Sequence, residues 1–497
     1  MNFASLLQRL IAFSTSGRAS ILVLIVCLLF TVWVRKNGFE GYQFGQEIGN
    51  VSAALASGQG FSNVFGPNTG PTAWTPVAYT VIYALVFLIF GVKTVYSYWA
   101  LFFLRCALIA VTFHLAVRIS YSSRLDRYKF LLLPLFMLYT YFVMLKRGMD
   151  DVIFNVSLSM LVIYVIAGLL DQGYKKVKIW LYILALILPL ANISLFIGYI
   201  LLIIGTQFST KREYIPKIHA FALLILLITS MAGWGLRNQA VFGKFIPFKS
   251  NLWFEMYLSN VADEDGILKF TNFRQYHPLT NEQVRKVYIA QGEAAFLEYY
   301  RNESSEYLKT NLTDFASKLI GRARSVFVWT EFNINNVEKV DHELPGEDIA
   351  QLETAGLIDS GYWLCLDVTQ QQFLNIVANL HLSSEDQITS DWQAKKQINK
   401  QSKLKLNNLA LGLLMSFLPS LALICCFLLP IVRESKVFWI ALGFFILTIG
   451  PYLLISIHTR YQLFQMSYYF LFVFMALAGI MDRFFPGLVD KRLIVIA

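Results

Sequence analysis

The side chains best placed for chemistry stand where long apolar runs meet polar sequence: Glu40, Glu47, Lys146, Arg147, Asp150, Asp151, Arg237, His458 and Arg460. A charge at such a boundary is costly unless it is paired or put to use. A carboxylate there can take the proton of an attacking hydroxyl, and Glu47, with Glu40 as the fallback, is the candidate for that role. A guanidinium can hold phosphate oxygens through paired donors, which makes Arg460 and Arg237 candidates for an anion site. Asp150 and Asp151 follow Lys146-Arg147 and open an apolar run, where capping and local charge balance account for them. Structural roles stand beside these: Glu47 in the first turn of a helix complements its dipole, and Arg460 suits an anchor whose stem lies in lipid. His277 and His458 are isolated in sequence and read as structural.

Composition says what must position these groups. The chain has 497 residues, 56% of them hydrophobic and only 15% charged, with a mean hydropathy of +0.53. A water-soluble fold of that size would have difficulty covering so much apolar surface. The formal net charge of +10 does not indicate nucleic acid, because Lys and Arg gather in short clusters between apolar runs. Examples are Arg118 to Lys129, Lys175 to Lys178, Lys211 to Lys217, Arg433 to Lys436 and Arg483 to Arg492, the pattern of loops on the inner side of a membrane. Four of the five cysteines lie in apolar runs and Cys365 alone in polar sequence, which argues against a disulfide framework. There is no zinc-site spacing and no glycine-rich phosphate loop, so no motif calls for a cofactor.

The apolar runs fall at about 19–34, 96–117, 130–145, 152–170, 179–190, 193–208, 218–235, 408–431, 437–456 and 461–481, predicting an all-α polytopic membrane protein of about ten transmembrane helices with both termini inside. The first run follows Arg9 and Arg18 and lacks a small-residue cleavage site, so it is expected to be an uncleaved membrane helix. Pro76 to Gly91 is apolar but short, and counting it as a span would put the Arg118 to Lys129 cluster outside; an interfacial helix on the outer face fits better. The 179–190 and 193–208 pair, broken at Pro189 and Asn192, reads as a hairpin that barely crosses.

This count divides the chain into an N-terminal membrane module (1–235), a polar outer region (236–407) and C-terminal membrane helices (408–497). The first outer loop, 35–95, carries a short amphipathic helix over about 46–57, with Ile48, Val51 and Leu55 at helical spacing and Gly58 as its stop. A series of Gly and Pro turns ends it in GPNTGPTAWTP. In the outer region, 281–329 is helical in pattern, while 331–405 shows no assignable periodicity.

The stretch EIGNVSAALASGQGFSNVFGPNTGPTAWTPVAYTVIYALVFLIFG resembles the first outer loop of bacterial GT-C glycosyltransferases, a superfamily that includes protein O-mannosyltransferases and the aminoarabinose transferase acting on lipid A. WGLRNQAVFGKFIPFKSNLWFEMYLSN, HPLTNEQVRKVYIAQGEAAF and TRYQLFQMSYYFLFVFMAL resemble later segments of the same proteins, in the same order. The resemblance implies a GT-C fold and an inverting transferase that takes a sugar from a polyprenyl-phosphate donor at the outer face of the bacterial cytoplasmic membrane. Its acceptor would be a lipid, glycan or protein. It implies Glu47 as base, Arg460, Tyr461 and Arg237 near the donor phosphate, and Asp150 and Asp151 to orient the acceptor or hold a divalent cation. It also shows a departure, since many members place an aspartate one helical turn earlier, where this chain has Phe44 and Gly45. Two rivals fit the composition: an O-antigen polymerase or ligase with a diphosphate donor, and a secondary transporter, for which inverted repeats and mid-membrane charges are expected.

Overall fold

Long runs of Leu, Ile, Phe and Val fold as helices because a helix satisfies every backbone polar group within its own segment, the requirement lipid imposes. The computed structural model describes residues 13, 17–35, 39, 42, 44–123, 125–140, 150–208, 215–263, 266–268, 270–327, 337–339, 344–358, 363–366, 370–403, 413–456, 461 and 463–485. Six of its helices are long and apolar enough to cross a membrane: Gly17–Arg35, Val95–Tyr121, Asp150–Gln172, Lys217–Phe242, Lys436–Ile455 and Met466–Phe484. The 27 residues of Val95–Tyr121 rise about 40 Å, more than the roughly 30 Å hydrocarbon thickness. Asp150–Gln172 is central, with 83% of its apolar window buried, whereas Gly17–Val34 is 22% buried and leaves most of its surface for lipid.

The remaining apolar runs are less regular than the sequence pattern suggests. The run at 130–145 becomes a 3₁₀ turn, Asp126–Leu131, and a short helix, Leu132–Tyr139, with 141–149 outside the described residues. The run at 408–431 becomes a π turn, Leu413–Phe417, followed by Leu418–Leu428. Tyr174–Ala191 and Ile193–Gln207 form the expected hairpin: Tyr199 donates to the Leu181 carbonyl across it at 2.7 Å. Asn192 at the tip caps the second helix, accepting from Ser194 N–H at 3.0 Å and Leu195 N–H at 3.1 Å. Lys217–Phe242 runs parallel to the first arm, with Tyr182 bonded to His219 and Ser230 to the Leu186 carbonyl. One charge sits inside a long apolar helix rather than at its end, a feature the sequence reading passes over. Arg105 is buried on Val95–Tyr121 with its guanidinium 4.5 Å from the Phe102 ring centroid.

The two polar stretches pack on one another at one end of the bundle. Val51, Phe61, Phe65 and Trp74 from the first loop share a core with Phe254, Tyr257, Tyr288 and Phe296. Helix Glu47–Ala56 matches the expected amphipathic element, with Ile48, Val51 and Ala54 buried. It lies against Val77–Phe90, whose 14 residues rise only about 21 Å, short of a span. The stretch from 331 to 405 is a small unit whose short elements hide its periodicity. Val337–Lys339 pairs antiparallel with Trp363–Cys365, and Gly346–Thr354, Gln370–Leu380 and Glu385–Lys403 surround a core of Leu352, Phe373, Val377, Ile388 and Trp392. Phe373 stacks on Trp392 at 4.4 Å. Its periodicity is weak because each helix shows only a narrow apolar stripe to a core of few residues.

Candidate functional site

The chain enters helix Glu47–Ala56 through a run of positive φ at Phe44 (50°), Gly45 (78°) and Gln46 (50°). Left-handed geometry at two non-glycine residues is strained and persists only where the surroundings hold it. Gly49 makes the turn feasible: a Cβ there would lie 2.3 Å from the Phe44 carbonyl oxygen. The turn delivers Glu47 at the first helical position, facing a cavity of about 290 Å³.

That cavity lies where several helix ends converge. Its wall takes Asp151 and Asn155 from the start of Asp150–Gln172, the Pro189–Ser194 hairpin tip, Trp234 near the end of Lys217–Phe242, and Pro451, Tyr452 and Ile455 at the end of Lys436–Ile455. From the polar region come Phe248, Lys249, Asn251 and Glu255, and from the segment before the last helix Tyr461 and Phe464. Carboxylates of Glu47, Asp151 and Glu255, one ammonium, amides and aromatic rings therefore share one space. An apolar pocket with a few convergent polar groups is the usual form of a small-molecule site.

Glu255 is held by several neighbours. Its oxygens accept from Tyr461 Oη and from Asn251 Nδ2 at 2.9 Å, with Lys249 Nζ at 3.9 Å. Tyr461 is fixed from its other side by stacking on Tyr452 at 4.5 Å. The carbonyl ends of the helix below are held as well: Arg322 donates to the Leu453 and Leu454 carbonyls at 2.8 and 3.0 Å, and Asn260 donates to that of Ile455 at 2.9 Å. On the hairpin side, Asn192 donates to Asn155 Oδ1 at 2.9 Å, and Asn155 donates to the Asp151 carbonyl at 2.8 Å.

Of the residues chosen from sequence, Glu47, Asp151 and Tyr461 meet at this cavity. Asp150 opens its helix; its side chain, Glu40, Lys146, Arg147, His458 and Arg460 lie outside what the structure describes. Arg237 does not line the cavity. Its guanidinium donates to the carbonyls of Thr72 and Phe61 and to Asn238 Oδ1, each at 2.8 Å, clasping the first loop. Among the described residues no group of three or more His, Cys, Asp and Glu could hold a metal ion. A divalent ion at Asp151 would therefore depend on other groups or on substrate oxygens.

Sequence reasoning missed Lys249, Glu255, Asn155 and the role of His277. His277 lies 3.0 Å from Glu47 through Nε2, its side chain 3% exposed against 22% for Glu47, so it is not isolated. Lys249 and Glu255 stand inside KFIPFKSNLWFEMYLSN, where the pairing of Asn251 with Glu255 one helical turn on was the available signal. No known protein family, curated protein or solved structure matches the chain.

Proposed function

We propose that this protein is an inverting GT-C-type glycosyltransferase with about ten membrane crossings, the shorter apolar helices included, that moves a sugar from a polyprenyl-phosphate donor to a cell-envelope acceptor. The reaction would lie at the outer face of the bacterial cytoplasmic membrane. The observation that supports it is the meeting of Glu47, Asp151, Glu255, Lys249 and Tyr461 in one cavity at the ends of apolar helices. A lipid-linked donor needs this layout, since its phosphate lies at the headgroup level while its tail stays in lipid.

In this reading Glu47 takes the acceptor hydroxyl proton as that oxygen bonds to the anomeric carbon, and the bond from that carbon to the phosphate oxygen breaks. The electron pair leaves on the lipid phosphate, whose new charge Lys249 and Arg460 meet. One displacement inverts the anomeric centre. Asp151 and the amides of Asn155 and Asn192 orient hydroxyl groups, and Glu255 holds Tyr461 and Lys249. Val77–Phe90 lies along the interface beside the entry to the site.

The test is retention of undecaprenyl phosphate, undecaprenyl diphosphate and undecaprenol by the purified protein in nanodiscs, read by quenching of tryptophan fluorescence. The reading predicts preference for the monophosphate. A preference for diphosphate would favour a polymerase or ligase, and equal retention of undecaprenol would sink the assignment of a phosphate-linked donor.

A further inference from the structure

We infer that His277 is the positioning partner of Glu47, a neutral imidazole whose Nε2–H fixes the orientation of the carboxylate; the inference rests on the reading of Glu47 as base. The tautomer follows from the second ring nitrogen. The Leu279 backbone N–H donates to His277 Nδ1 at 3.1 Å, so Nδ1 must present a lone pair. A doubly protonated ring would set two donors against each other there. The single proton therefore lies on Nε2, 3.0 Å from Glu47 Oε1.

The surrounding residues hold the ring in this pose. Phe273 stacks on it at 4.0 Å, and Phe65, Trp74 and Phe254 meet it edge-on at 5.2, 5.7 and 5.5 Å. Phe65 and Trp74 come from the first loop, Phe254 and Phe273 from the polar region, so rotation of the imidazole would disturb both. The turn that aims the Leu279 N–H is itself fixed, with Thr280 and Asn281 donating to the His277 carbonyl at 3.1 and 3.0 Å. One consequence separates this pair from a proton relay. Nε2 already carries its proton and Nδ1 is occupied, so His277 cannot accept what Glu47 receives, and that proton leaves Glu47 by way of the cavity. The histidine acts as the third member of a base–orienter arrangement does, by holding geometry.

The experiment records ¹⁵N-histidine NMR of the full chain in nanodiscs, with His277→Gln identifying the resonance, beside single-turnover transfer from a panel of undecaprenyl-phosphate hexoses and pentoses to native membranes. The neutral Nε2–H tautomer, with an Nε2–H signal that moves in Glu47→Gln, is the expected result. A doubly protonated ring, the Nδ1–H tautomer, or a signal indifferent to Glu47→Gln would overturn the inference. In the kinetic arm His277→Phe, which keeps the stacking and lacks the donor, is expected to slow turnover on the order of 10- to 100-fold, the scale of a misplaced reacting group, with undecaprenyl phosphate affinity unchanged. His277→Gln, which restores an N–H near the same place, should recover most of the loss; equal rates in the two variants would contradict a positioning role. If the wild type transfers none of the sugars, the proposed function fails while the NMR result still decides the pairing.

Discussion

The buried carboxylate of Glu293 accepts the Thr72 hydroxyl at 2.5 Å, joining the start of a polar-region helix to the last turn of a loop 221 residues earlier. It also accepts from the Ala73 N–H, Ser250 Oγ and Tyr288 Oη at 2.8, 2.8 and 2.9 Å. This group ties the loop that delivers Glu47 to the segment that delivers Lys249. Glu293→Ala strands four donors, and we expect a loss on the order of 2–5 kcal/mol, read as a fall in the thermal unfolding midpoint.

The same carboxyl carries a pH signature. Burial pushes Glu293 up from the ordinary carboxylate range, and its bonds to Thr72, Ala73, Ser250 and Tyr288 pull it part of the way back. A folded-state pKa above the unfolded one means the native state holds the proton more tightly, so this stabilisation is complete below the unfolded pKa and is lost as pH rises through the folded value. Wild type should thus lose stability relative to Glu293→Gln as pH rises above the ordinary carboxylate range. A wild-type stability that stays level with that of Glu293→Gln as pH rises, or gains on it, would contradict the raised pKa.

Arg237 gives a second structural expectation, opposite to the one its sequence position suggests. With two loop carbonyls and Asn238 on its guanidinium, Arg237→Ala should cost on the order of 2–4 kcal/mol of stability, and Arg237→Lys should recover little, lacking the fork of donors. Thermal unfolding decides this. A stable Arg237→Ala variant that has lost only undecaprenyl phosphate retention would restore the anion-binding role.

Much of the fold is legible in the sequence where one physical rule acts alone. Apolar length gives the long helices, and the Ile48, Val51, Leu55 spacing with Gly58 gives the helix Glu47–Ala56. The site is only half legible, because its groups meet through tertiary packing. Glu47 and Asp151 are marked by their places at helix starts, and Tyr461 by the Arg-Tyr pair. His277 carries no such mark, and Glu255 only its place in the first turn of Leu252–Asn260; each reaches the site through contacts with residues far away in the chain, His277 with Glu47 and Glu255 with Tyr461. The loop contacts of Arg237 are illegible for the same reason, since nothing local reveals that the carbonyls of Thr72 and Phe61 lie within its reach.

The membrane arrangement predicts that 35–95 and 237–407 share one side and that Ser122 lies on the other. Ser304 is buried, so Asn302, which is exposed on the same helix, is the better reporter. Cysteines placed at Ser122 and Asn302, with the native cysteines replaced, should label from opposite sides of sealed vesicles. Labelling from the same side would move the cavity away from the face where the proposed chemistry needs it.

The central claim, that Glu47 is the base, is tested most directly by Glu47→Gln, which keeps shape and hydrogen bonding but cannot take a proton. Single-turnover transfer and undecaprenyl phosphate retention are measured on the same preparations of wild type, Glu47→Gln and Glu40→Gln. The account predicts that Glu47→Gln retains the lipid phosphate as wild type does and loses on the order of 10²-fold or more in turnover, the scale of general-base removal, while Glu40→Gln stays near wild type. Normal turnover in Glu47→Gln with a dead Glu40→Gln would contradict it and place the base earlier in the first loop.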